Sequence, residues 1–457
     1  MESDKLHEEC GVFGVWSTKP IQAASWIYYG LTALQHRGQE AAGIVVGDTK
    51  SPIGNICVHK GMGLVSEVFS PATLAGMHGN IGIGHVRYST AGASCVENAQ
   101  PVFINHLKGT LALAHNGNLV NATQMREELA RRGVIFEGTT DSEVIAYRIA
   151  LERMQTSSIE EAVIHVAKEL RGGFALLMLS PQKLIGVRDP FGLKPLCLGK
   201  KGETYVLASE NAALKAVDAE FVRDIEPGEM VTISENGVQS DFSLKQETHA
   251  HCVFEYIYFA RLDSTIDGVS VYESRIRGGR CLARRYPVEA DVVTGVPESG
   301  LTAAVGYSQE SGIPFRMAFH KNGYVGRTFI KPSQSERMSA VHMKLSVLES
   351  VVKDKRVVLI DDSIVRGTTI ANLITEMRKA GAQEVHVRIS SPPFLYPCYY
   401  GTDVPDNKEL IANEYSTEEI REKIGADSLG YMQIEDLGAI TENLPLCMAC
   451  FNNQYPV

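Results

Sequence analysis

Apolar runs and amphipathic stretches alternate through the first half of the chain, with glycine frequent between them. The runs have the length and period of strands in an antiparallel layer. They are CGVFGVW, AAGIVVGD, NICVHKG, IGIGHVRYS, TLALAHNG, FALLMLS, KLIGVRDP and YVLASE. Helical spacing is found instead in AASWIYYGLTALQHR, NATQMREELARRG and DSEVIAYRIALERM. This order predicts a layered sheet–helix domain that ends near EMVTISENG.

The pattern changes after the polar stretch VQSDFSLKQETHAH. Continuous apolar strands then alternate with helices through DVVTGVP, GLTAAVGYSQESG, IPFRMAFH, RVVLIDD, TTIANLITEMRKAG and EVHVRISS. Strands of this kind are buried on both faces, as in a parallel sheet covered by helices. The tail STEEIREKIGADSLGYMQIEDLGAI predicts two more helices. We therefore expect a two-domain α/β protein with domains at residues 10–240 and 250–457.

Composition narrows the class of protein. Of 457 residues, 44% are hydrophobic and 21% charged, and the formal net charge is −10. These values are typical of a globular protein and disfavour a nucleic-acid surface. We find no apolar run long enough for a membrane span and no signal-peptide pattern at the acidic start, so a cytoplasmic location is expected. Nine cysteines argue against a disulfide framework and leave core thiols, a metal or cluster site, or a nucleophile.

The stretch RVVLIDDSIVRGTTIANL is the most informative part of the second half. A buried strand delivers Asp361 and Asp362 to its carboxyl end, and a loop with Gly367 then opens onto a helix. Ligands bind at such strand ends, and backbone N–H groups at a helix N-terminus hold phosphate. Carboxylates there suit ribose hydroxyls or Mg²⁺. An acidic pair alone is more often a helix cap, but the full string is far more specific.

This string resembles the motif of the phosphoribosyltransferases that use phosphoribosyl pyrophosphate (PRPP). The resemblance implies that Asp361 and Asp362 meet the ribose and Mg²⁺, and that TGVPESG places Ser299 at the metal–pyrophosphate site. It also implies a mobile lid, KNGYVGRTFIKPSQSER, with cations for pyrophosphate. The implied 5′-phosphate loop comprises Ser363, Val365, Arg366, Gly367, Thr368 and Thr369, and the lid cations are Lys321, Arg327, Lys331 and Arg337.

Cys10 stands where nine residues, most of them polar, meet the first apolar strand. If residues 1–9 are a propeptide, their removal gives Cys10 its own base, an α-amine with a pKa of about 7.7–8.0. Asn116 with the N–H of Gly117 can form an oxyanion hole. Arg87 can bind a carboxylate and Asp141 an ammonium group, so the set describes glutamine. Each residue taken singly has a structural alternative: an internal ion pair, a turn or a buried thiol.

Together, and in this order, these residues resemble the N-terminal-nucleophile (Ntn) glutamine amidotransferases. That resemblance implies an αββα sandwich in the first half, and the second half implies a type I phosphoribosyltransferase fold. The combination is similar to the amidophosphoribosyltransferases over essentially the whole chain. The implied reaction converts glutamine, PRPP and water to phosphoribosylamine, glutamate and pyrophosphate, the first step of purine synthesis. It also implies purine nucleotide inhibitors and a homo-oligomer, either dimer or tetramer, with neither nucleic acid nor membrane as partner.

Four of the cysteines match the cluster-containing branch of that family. CMAC alone is a weak signal for zinc, redox chemistry or nothing. The resemblance implies that Cys252, Cys398, Cys447 and Cys450 hold a [4Fe–4S] cluster as a structural staple, and the same branch carries a propeptide. Two positions depart from the family pattern: Leu262 stands where proline is usual, and Lys194 stands where arginine is usual, which keeps the charge but loses a bidentate fork.

Two alternative functions have less support from the sequence. An aminosugar-forming amidotransferase would need a sugar-isomerase acceptor domain, which VVLIDDSIVRGTT contradicts. A non-catalytic nucleotide sensor on a phosphoribosyltransferase fold would lack the nucleophile or carry a basic face. Cys10 is present and the chain is acidic, so neither expectation of the sensor is met.

Overall fold

The first half of the chain forms two stacked antiparallel sheets. The computed structural model describes residues 10–51, 55–88, 93–322, 345–402, 404 and 407–457. The strands of this half are β1 Gly11–Ser17, β2 Ala41–Gly47, β3 Cys57–Met62, β4 Ile81–Arg87, β5 Val102–His106, β6 Gly109–Leu119, β7 Gly172–Leu179, β8 Leu184–Arg188, β9 Cys197–Lys201, β10 Thr204–Ala208, β11 Glu220–Asp224, β12 Met230–Ser234 and β13 Gly237–Asp241. One sheet has the order β11-β9-β10-β1-β4-β2-β3 and the other β13-β12-β8-β7-β6-β5.

Helices cover the outer face of each sheet. They are α1 Ala23–Ala33, α2 Val65–Val68, α3 Pro71–Gly76, α4 Ala122–Arg131, α5 Asp141–Arg153, α6 Ile159–Ala167 and α7 Asn211–Ala216, with a 3₁₀ turn at Val96–Asn98. Strand β1 shows why its sequence is apolar throughout. Phe13 and Val15 pack outward on α1, while Val12 and Trp16 belong to the core between the sheets. The four layers confirm the αββα sandwich.

Glycines bring α1 close to the two central strands. A Cβ on Gly30 would lie 2.2 Å from Cδ2 of Phe13, and a Cβ on Gly84 would lie 2.3 Å from Cγ2 of Ile27. Neither position can take a side chain without displacing the helix from the sheet. This close packing fixes β1 and β4, whose ends carry Cys10 and Arg87.

The second half is built on a four-stranded parallel sheet of order β17-β20-β21-β22. The strands of this half are β14 His251–Cys252, β15 Thr265–Ile266, β16 Val269–Ser270, β17 Val292–Gly295, β18 Phe319–Lys321, β19 Leu345–Val347, β20 Arg356–Asp361, β21 Glu384–Ile389, β22 Ser428–Tyr431 and β23 Leu446–Cys447. The helices are α8 Val271–Arg285, α9 Leu301–Ser311, α10 Glu349–Val352, α11 Thr368–Lys379, α12 Ile411–Glu414, α13 Thr417–Ile424, α14 Leu437–Ile440 and α15 Ala449–Asn452, with a π-helical turn at Glu255–Phe259 and 3₁₀ turns at Asn407–Glu409 and Ile434–Asp436.

Both faces of this parallel sheet are covered, as predicted. On β20, Val358 and Ile360 share one core with α8 and α9, while Val357 and Leu359 share another with α11 and α13. Because successive residues of a strand point to opposite faces, a strand covered on both sides is apolar at every position.

Three details differ from the sequence prediction. Both tail helices are present, but Ser428–Tyr431 between them is the fourth strand of the parallel sheet, paired with β21. Four residues are too few to show a period, and the strand exists because β21 offers it a hydrogen-bonding edge. In IPFRMAFH, Phe315 makes a single bridge to Val293, and Phe319–Lys321 pairs with β19 instead of joining the parallel sheet. The polar boundary stretch begins as edge strand β13, because backbone pairing with β12 does not require apolar side chains.

Two buried arginines of the first half bind carboxylates of the second. Arg188 donates to both carboxylate oxygens of Asp267 at 2.7 Å. Arg37 donates to Glu255 at 3.1 and 2.5 Å and also pairs with Glu210. Bidentate pairs of this kind fix orientation as well as distance, so they hold the two halves in register. None of the helices in the described part of the chain is long and apolar enough to cross a bilayer.

Candidate active sites

Cys10 lies immediately before β1, beside the end of β4. Gly11 pairs with Val86 in the antiparallel register, and the buried Cys10 thiol donates to the carbonyl oxygen of Tyr88 at 3.4 Å. The predicted propeptide, residues 1–9, lies outside the described residues. The thiol is therefore placed at one end of the sandwich, next to Arg87.

Because alternate residues of a strand face opposite sides of a sheet, the side chains of the site face the space between the two sheets. Val12 belongs to the inter-sheet core, so Cys10, two residues earlier, has the same orientation. Ala112 and Ala114 of β6 also line that core, which places Asn116 on the same face from the opposite sheet. His85 of β4 spans the gap and lies 3.0 Å from the His115 carbonyl oxygen. The two sheets thus bring Cys10 and Asn116 to the same end of the core.

The Asn116–Gly117 pair provides buried hydrogen-bonding groups. Asn116 is fully buried, and neither oxygen nor nitrogen of its side-chain amide has a hydrogen-bond partner among the described residues. Buried amides are rarely left unpaired, because each such group costs about 1–3 kcal/mol. Gly117 has φ +142°, and a Cβ there would lie 2.0 Å from the Gly173 carbonyl oxygen, so only glycine fits. A buried donor without a partner is suited to a charge that forms only during reaction.

Asp141 begins helix α5 behind this strand. Its carboxylate accepts the Leu119 N–H at 3.0 Å and lies 3.5 Å from Nδ1 of His115. Burial by itself would raise the pKa of Asp141, but the interaction with His115 and the Leu119 N–H hold that pKa below its ordinary value. Asp141 is therefore a buried carboxylate that keeps its charge.

Two histidines that the sequence analysis did not single out support the site. Burial lowers the pKa of His85 to about 3, so its ring is neutral and donates Nε2–H to the His115 carbonyl oxygen. His115 in turn lies 3.3 Å from Ser142 Oγ and holds β6 against α5. Both histidines sit within apolar strands, and a polar residue at a buried strand position is the signal that identifies them.

Arg87 has an internal partner. Its Nη1 donates to Glu40 at 2.8 Å and to the Ala93 carbonyl oxygen at 3.3 Å. Glu40 precedes β2, and no feature of the sequence pointed to this pair. The guanidinium is buried, and strand alternation from His85 aims it at the space between the sheets.

A second cluster of polar groups lies at the carboxyl ends of β17 and β20. Ser299 donates to Asp361 Oδ1 at 3.3 Å, and Ser363 donates to Asp362 Oδ2 at 2.5 Å. Both carboxylates are buried. The loop with Ser299 is held against β20 so closely that a Cβ on Gly300 would lie 2.2 Å from the Ile360 carbonyl oxygen. The structure thus brings Ser299 beside the Asp361 carboxylate.

The predicted phosphate loop wraps the start of α11. Gly367 has φ +83° and caps the helix, and Thr368 and Thr369 are its first two residues. Val365 is buried, and its carbonyl oxygen accepts the Ile411 N–H at 2.9 Å. Arg366 donates from Nε to Glu409 at 3.0 Å and is therefore engaged in an ion pair. The loop presents backbone N–H groups at a helix N-terminus, which is the arrangement that binds phosphate.

The predicted lid falls mainly outside the described residues. Arg327, Lys331 and Arg337 belong to residues 323–344 and have no structural description. Lys321, at the end of β18, is described and donates to Glu298 at 2.9 Å. This exposed pair links the base of that segment to the loop that carries Ser299.

The four predicted cluster cysteines line one cavity. Cys252 and Cys447 are paired neighbours on the parallel strands β14 and β23, and the cavity wall also contains Cys398, Cys450 and Lys194. Burial raises the pKa of Cys447 to about 12 and that of Cys450 well above its ordinary value. No group of three described His, Cys, Asp or Glu side chains converges on a point that suits a single metal ion. Thiols spread around a cavity suit a cluster, in which each iron takes one thiolate.

Known proteins match the chain in both halves. A glutamine amidotransferase domain model matches residues 85–216 and a phosphoribosyl transferase domain model matches residues 280–390. The amidophosphoribosyltransferase of Methanocaldococcus jannaschii is 50% identical and covers 98% of this chain and 97% of its own length. The chain belongs to the amidophosphoribosyltransferase family. The Bacillus subtilis amidophosphoribosyltransferase is 47% identical, over 99% of this chain and 94% of its own.

Solved structures of amidophosphoribosyltransferases have the same fold. The B. subtilis glutamine PRPP amidotransferase, solved in complex with ADP and GMP, gives a TM-score of 0.90 at 46% identity and covers 98% of this chain and 97% of its own. A second structure, described as the allosteric regulatory enzyme of purine biosynthesis, gives a TM-score of 0.91 at 46% identity, over 98% and 96% of the two chains. The sandwich and the phosphoribosyltransferase fold predicted from sequence are both confirmed.

Membership of the amidophosphoribosyltransferase family decides between the competing functions. The acceptor half is a phosphoribosyltransferase domain, which removes the aminosugar alternative. The matching relatives are enzymes, which removes the non-catalytic sensor. Of the two departures from the family pattern, Leu262 is partly exposed in a turn, whereas Lys194 is buried against the cysteine cavity.

Proposed function

We propose that the two sites of this amidophosphoribosyltransferase divide its reaction between them. The first half hydrolyses glutamine, and the second half transfers the ammonia to C1 of PRPP with loss of pyrophosphate. The products are 5-phosphoribosylamine, glutamate and pyrophosphate. The reaction is the first step of purine biosynthesis. The observation that carries this proposal is the fully buried Asn116 amide, which has no partner among the described residues and faces the same end of the core as Cys10.

In the glutaminase site, Cys10 is proposed as the nucleophile after removal of residues 1–9. Its free α-amine then takes the thiol proton, and the thiolate attacks the glutamine amide carbon. The oxyanion rests on the Asn116 amide and the Gly117 N–H, ammonia leaves, and water cleaves the thioester to give glutamate. Arg87 is proposed for the glutamine carboxylate and Asp141 for its ammonium group, since both are buried charges, Arg87 on β4 beside Cys10 and Asp141 against β6.

In the acceptor site, Asp361 and Asp362 are proposed for the ribose hydroxyls. The 5′-phosphate is proposed to bind the loop from Ser363 to Thr369, with Val365, Arg366, Gly367 and Thr368 between them. Ser299, Asp361 and Asp362 would hold Mg²⁺, and their oxygen donors suit it, with the serine hydroxyl 3.3 Å from one carboxylate. When bound, the metal supplies charge that stabilises the departing pyrophosphate. Arg327 and Lys331 are proposed to bind that pyrophosphate from the lid.

A [4Fe–4S] cluster is proposed in the cavity lined by Cys252, Cys398, Cys447 and Cys450. The fit rests on four thiols, from three separate segments of the chain, that line one cavity. Such a cluster would tie the domain junction, the loop after β21 and the C-terminal segment together as a staple. All nine cysteines are free thiols in the structure, which supports a reducing, cytoplasmic location.

Regulation and assembly are proposed from the relatives. Purine nucleotides are proposed as inhibitors, since the similar B. subtilis structure contains ADP and GMP. A homo-oligomer, dimer or tetramer, is proposed from the family resemblance, with neither nucleic acid nor membrane as partner.

The division of labour is tested by measuring three activities of anaerobically purified enzyme: glutamine hydrolysis, glutamine-dependent synthesis and ammonia-dependent synthesis. Replacing Cys10 with alanine should abolish the first two and spare the third. Cys57→Ala is the matched control, because that thiol lies in the same half away from the site. Equal loss of all three activities would refute two separate sites. If fully active enzyme has the intact mass of a chain that still starts at Met1, the proposed removal of residues 1–9 is refuted.

The cluster has its own test. Iron and sulfide should copurify with the protein, and Cys450→Ala should lose both together with thermal stability. Cys281→Ala, a partly buried thiol outside the cavity, is the matched control. Fully active protein without iron would refute the cluster.

A further inference from the structure

A loop of the second half lies directly on the strand that carries Asn116 and Gly117. The Asn118 side chain donates from Nδ2 to the Tyr399 carbonyl oxygen at 2.9 Å. A Cβ placed on Gly401 would lie only 3.2 Å from the carbonyl carbon of Gly117. The segment Tyr399–Gly401 therefore touches β6 at the proposed oxyanion pair and at the residue after it.

Glycines make this close contact possible in both strands and in the loop. Strand β7 approaches so closely that a Cβ on Gly117 would lie 2.0 Å from the Gly173 carbonyl oxygen. Gly401 of the loop has φ +114°, and a Cβ on Gly173 would lie 3.3 Å from Cβ of Tyr400. Gly117 is thus packed closely against both a strand of its own half and a loop of the other half.

The loop is fixed from the second half. The Tyr400 N–H donates to Sγ of Cys398 at 3.4 Å. The Tyr400 hydroxyl donates to the Val457 carbonyl oxygen at 3.3 Å and accepts the Val457 N–H at 3.2 Å. Tyr400 is buried, and these bonds hold the loop in one position against β6.

We propose that Tyr399–Gly401 is the outer wall of the glutaminase oxyanion site and that Asn118 is a positioning residue which holds the wall in place. The inference rests on the proposed role of Asn116 and Gly117. A peptide N–H next to glycine turns easily, because glycine has no side chain to restrict φ and ψ. Confinement between Gly173 and Gly401 fixes the Gly117 N–H in one direction. The glutamine site is complete only when the phosphoribosyltransferase half is docked.

The wall affects one chemical step, the formation of the oxyanion during glutamine hydrolysis. An oxyanion forms when the thiolate adds to an amide carbonyl, and stabilising that charge requires donors at fixed positions. Misplacing such groups by about 1 Å can cost on the order of 10²-fold in rate. Alkylation of Cys10 by iodoacetamide is a displacement at a saturated carbon and forms no oxyanion. The wall therefore affects glutamine hydrolysis and leaves alkylation unchanged.

The test compares Asn118→Ala with Asn121→Ala in the processed, full-length enzyme. The Asn121 side chain donates from Nδ2 to the Glu169 carbonyl oxygen at 2.9 Å and accepts the Arg171 N–H at 3.1 Å, and both of these exposed bonds lie within the first half. We expect Asn118→Ala to lower kcat for glutamine hydrolysis by about 10- to 100-fold, with a smaller change in KM for glutamine. Ammonium chloride-dependent synthesis and the rate of Cys10 alkylation should not change. Asn121→Ala should resemble the wild type in every assay.

Gly401→Ala gives a second perturbation of the wall. The added methyl would lie 3.2 Å from Gly117 and 3.1 Å from Nζ of Lys194, so hydrolysis should fall further than in Asn118→Ala. Gly237→Ala has a similar positive φ, +86°, with nothing within 4 Å of the added atom, and it controls for backbone strain alone.

The possible results distinguish the wall from the proposed glutaminase function on which it rests. Selective loss of hydrolysis in Asn118→Ala and Gly401→Ala supports the wall. If Asn116→Ala loses hydrolysis while Asn118→Ala behaves like Asn121→Ala, the proposed function stands and the wall is overturned. Equal loss of alkylation, ammonia-dependent synthesis and hydrolysis in Asn118→Ala would also overturn it. A processed wild-type enzyme that hydrolyses no glutamine would overturn the proposed function, and the wall with it.

Discussion

Replacing Asn116 with alanine should make the protein less active and no less stable. The side chain is fully buried, and its amide has no hydrogen-bond partner among the described residues. Leaving an amide in that state costs about 1–3 kcal/mol. Alanine removes this cost and leaves a cavity of only a few atoms, which costs under about 1 kcal/mol at the usual rate per unit volume. The free energy of unfolding should stay level or rise by about 1–2 kcal/mol.

Activity should change in the opposite direction. Loss of one oxyanion donor lowers kcat by about 10²–10³-fold, or about 2.7–4 kcal/mol of transition-state stabilisation. The assay is glutamine hydrolysis at saturating glutamine, with ammonia-dependent synthesis measured on the same sample. Synthesis from ammonia should be unchanged, because the acceptor site lies in the other half of the chain.

The stability measurement needs a buried asparagine whose hydrogen bonds are made. Asn80 is such a control: its Nδ2 donates to the Ser17 carbonyl oxygen at 2.5 Å, and its Oδ1 accepts the Thr49 N–H at 3.0 Å. Asn80→Ala should lower the free energy of unfolding by about 1–3 kcal/mol in a denaturant titration. If Asn116→Ala is destabilised as much as Asn80→Ala, or loses less than about tenfold in kcat for hydrolysis, the oxyanion role is refuted.

Three further predictions concern the junction and the acceptor site. Arg37→Met should lower the free energy of unfolding by about 3–5 kcal/mol, because it removes the buried cation that pairs with the carboxylates of Glu210 and Glu255; a loss under about 1 kcal/mol in urea titration would contradict this. Burial and the nearby Asp267 charge raise the pKa of Asp224 to about 6, so the folded state favours its protonated form and the contribution of Asp224 to stability falls as pH rises from about 4 through 6. Asp224→Asn should therefore be more stable than the wild type at pH 8, by up to about 3 kcal/mol, and equal to it near pH 4; a difference that is constant with pH would refute the shift. Asp361→Asn should lower both glutamine- and ammonia-dependent synthesis while sparing glutamine hydrolysis without PRPP, and a loss confined to the glutamine-dependent assay would contradict its role in the acceptor site.

Much of the architecture follows from local patterns in the sequence. Runs that are apolar at every position, such as those around Phe13 and Val358, require burial on both faces, and this predicts stacked layers before any contact is known. The string from Asp361 to Thr369 is local, since a strand, an acidic pair and a glycine-capped helix follow one another. A site built from consecutive residues can be predicted from the sequence, because residues that are neighbours in the chain are also neighbours in space.

Features that depend on residues far apart in the chain appear only in the folded structure. The strand Ser428–Tyr431 exists because β21 offers it an edge, and four residues carry too little periodicity to reveal that. Glu40 meets Arg87, and Tyr399 meets Asn118, only after the sheets and the two halves have docked. Such contacts arise from packing between distant segments. A single sequence shows each segment but does not show which segments come into contact. The wall over Gly117 is therefore a property of the docked molecule.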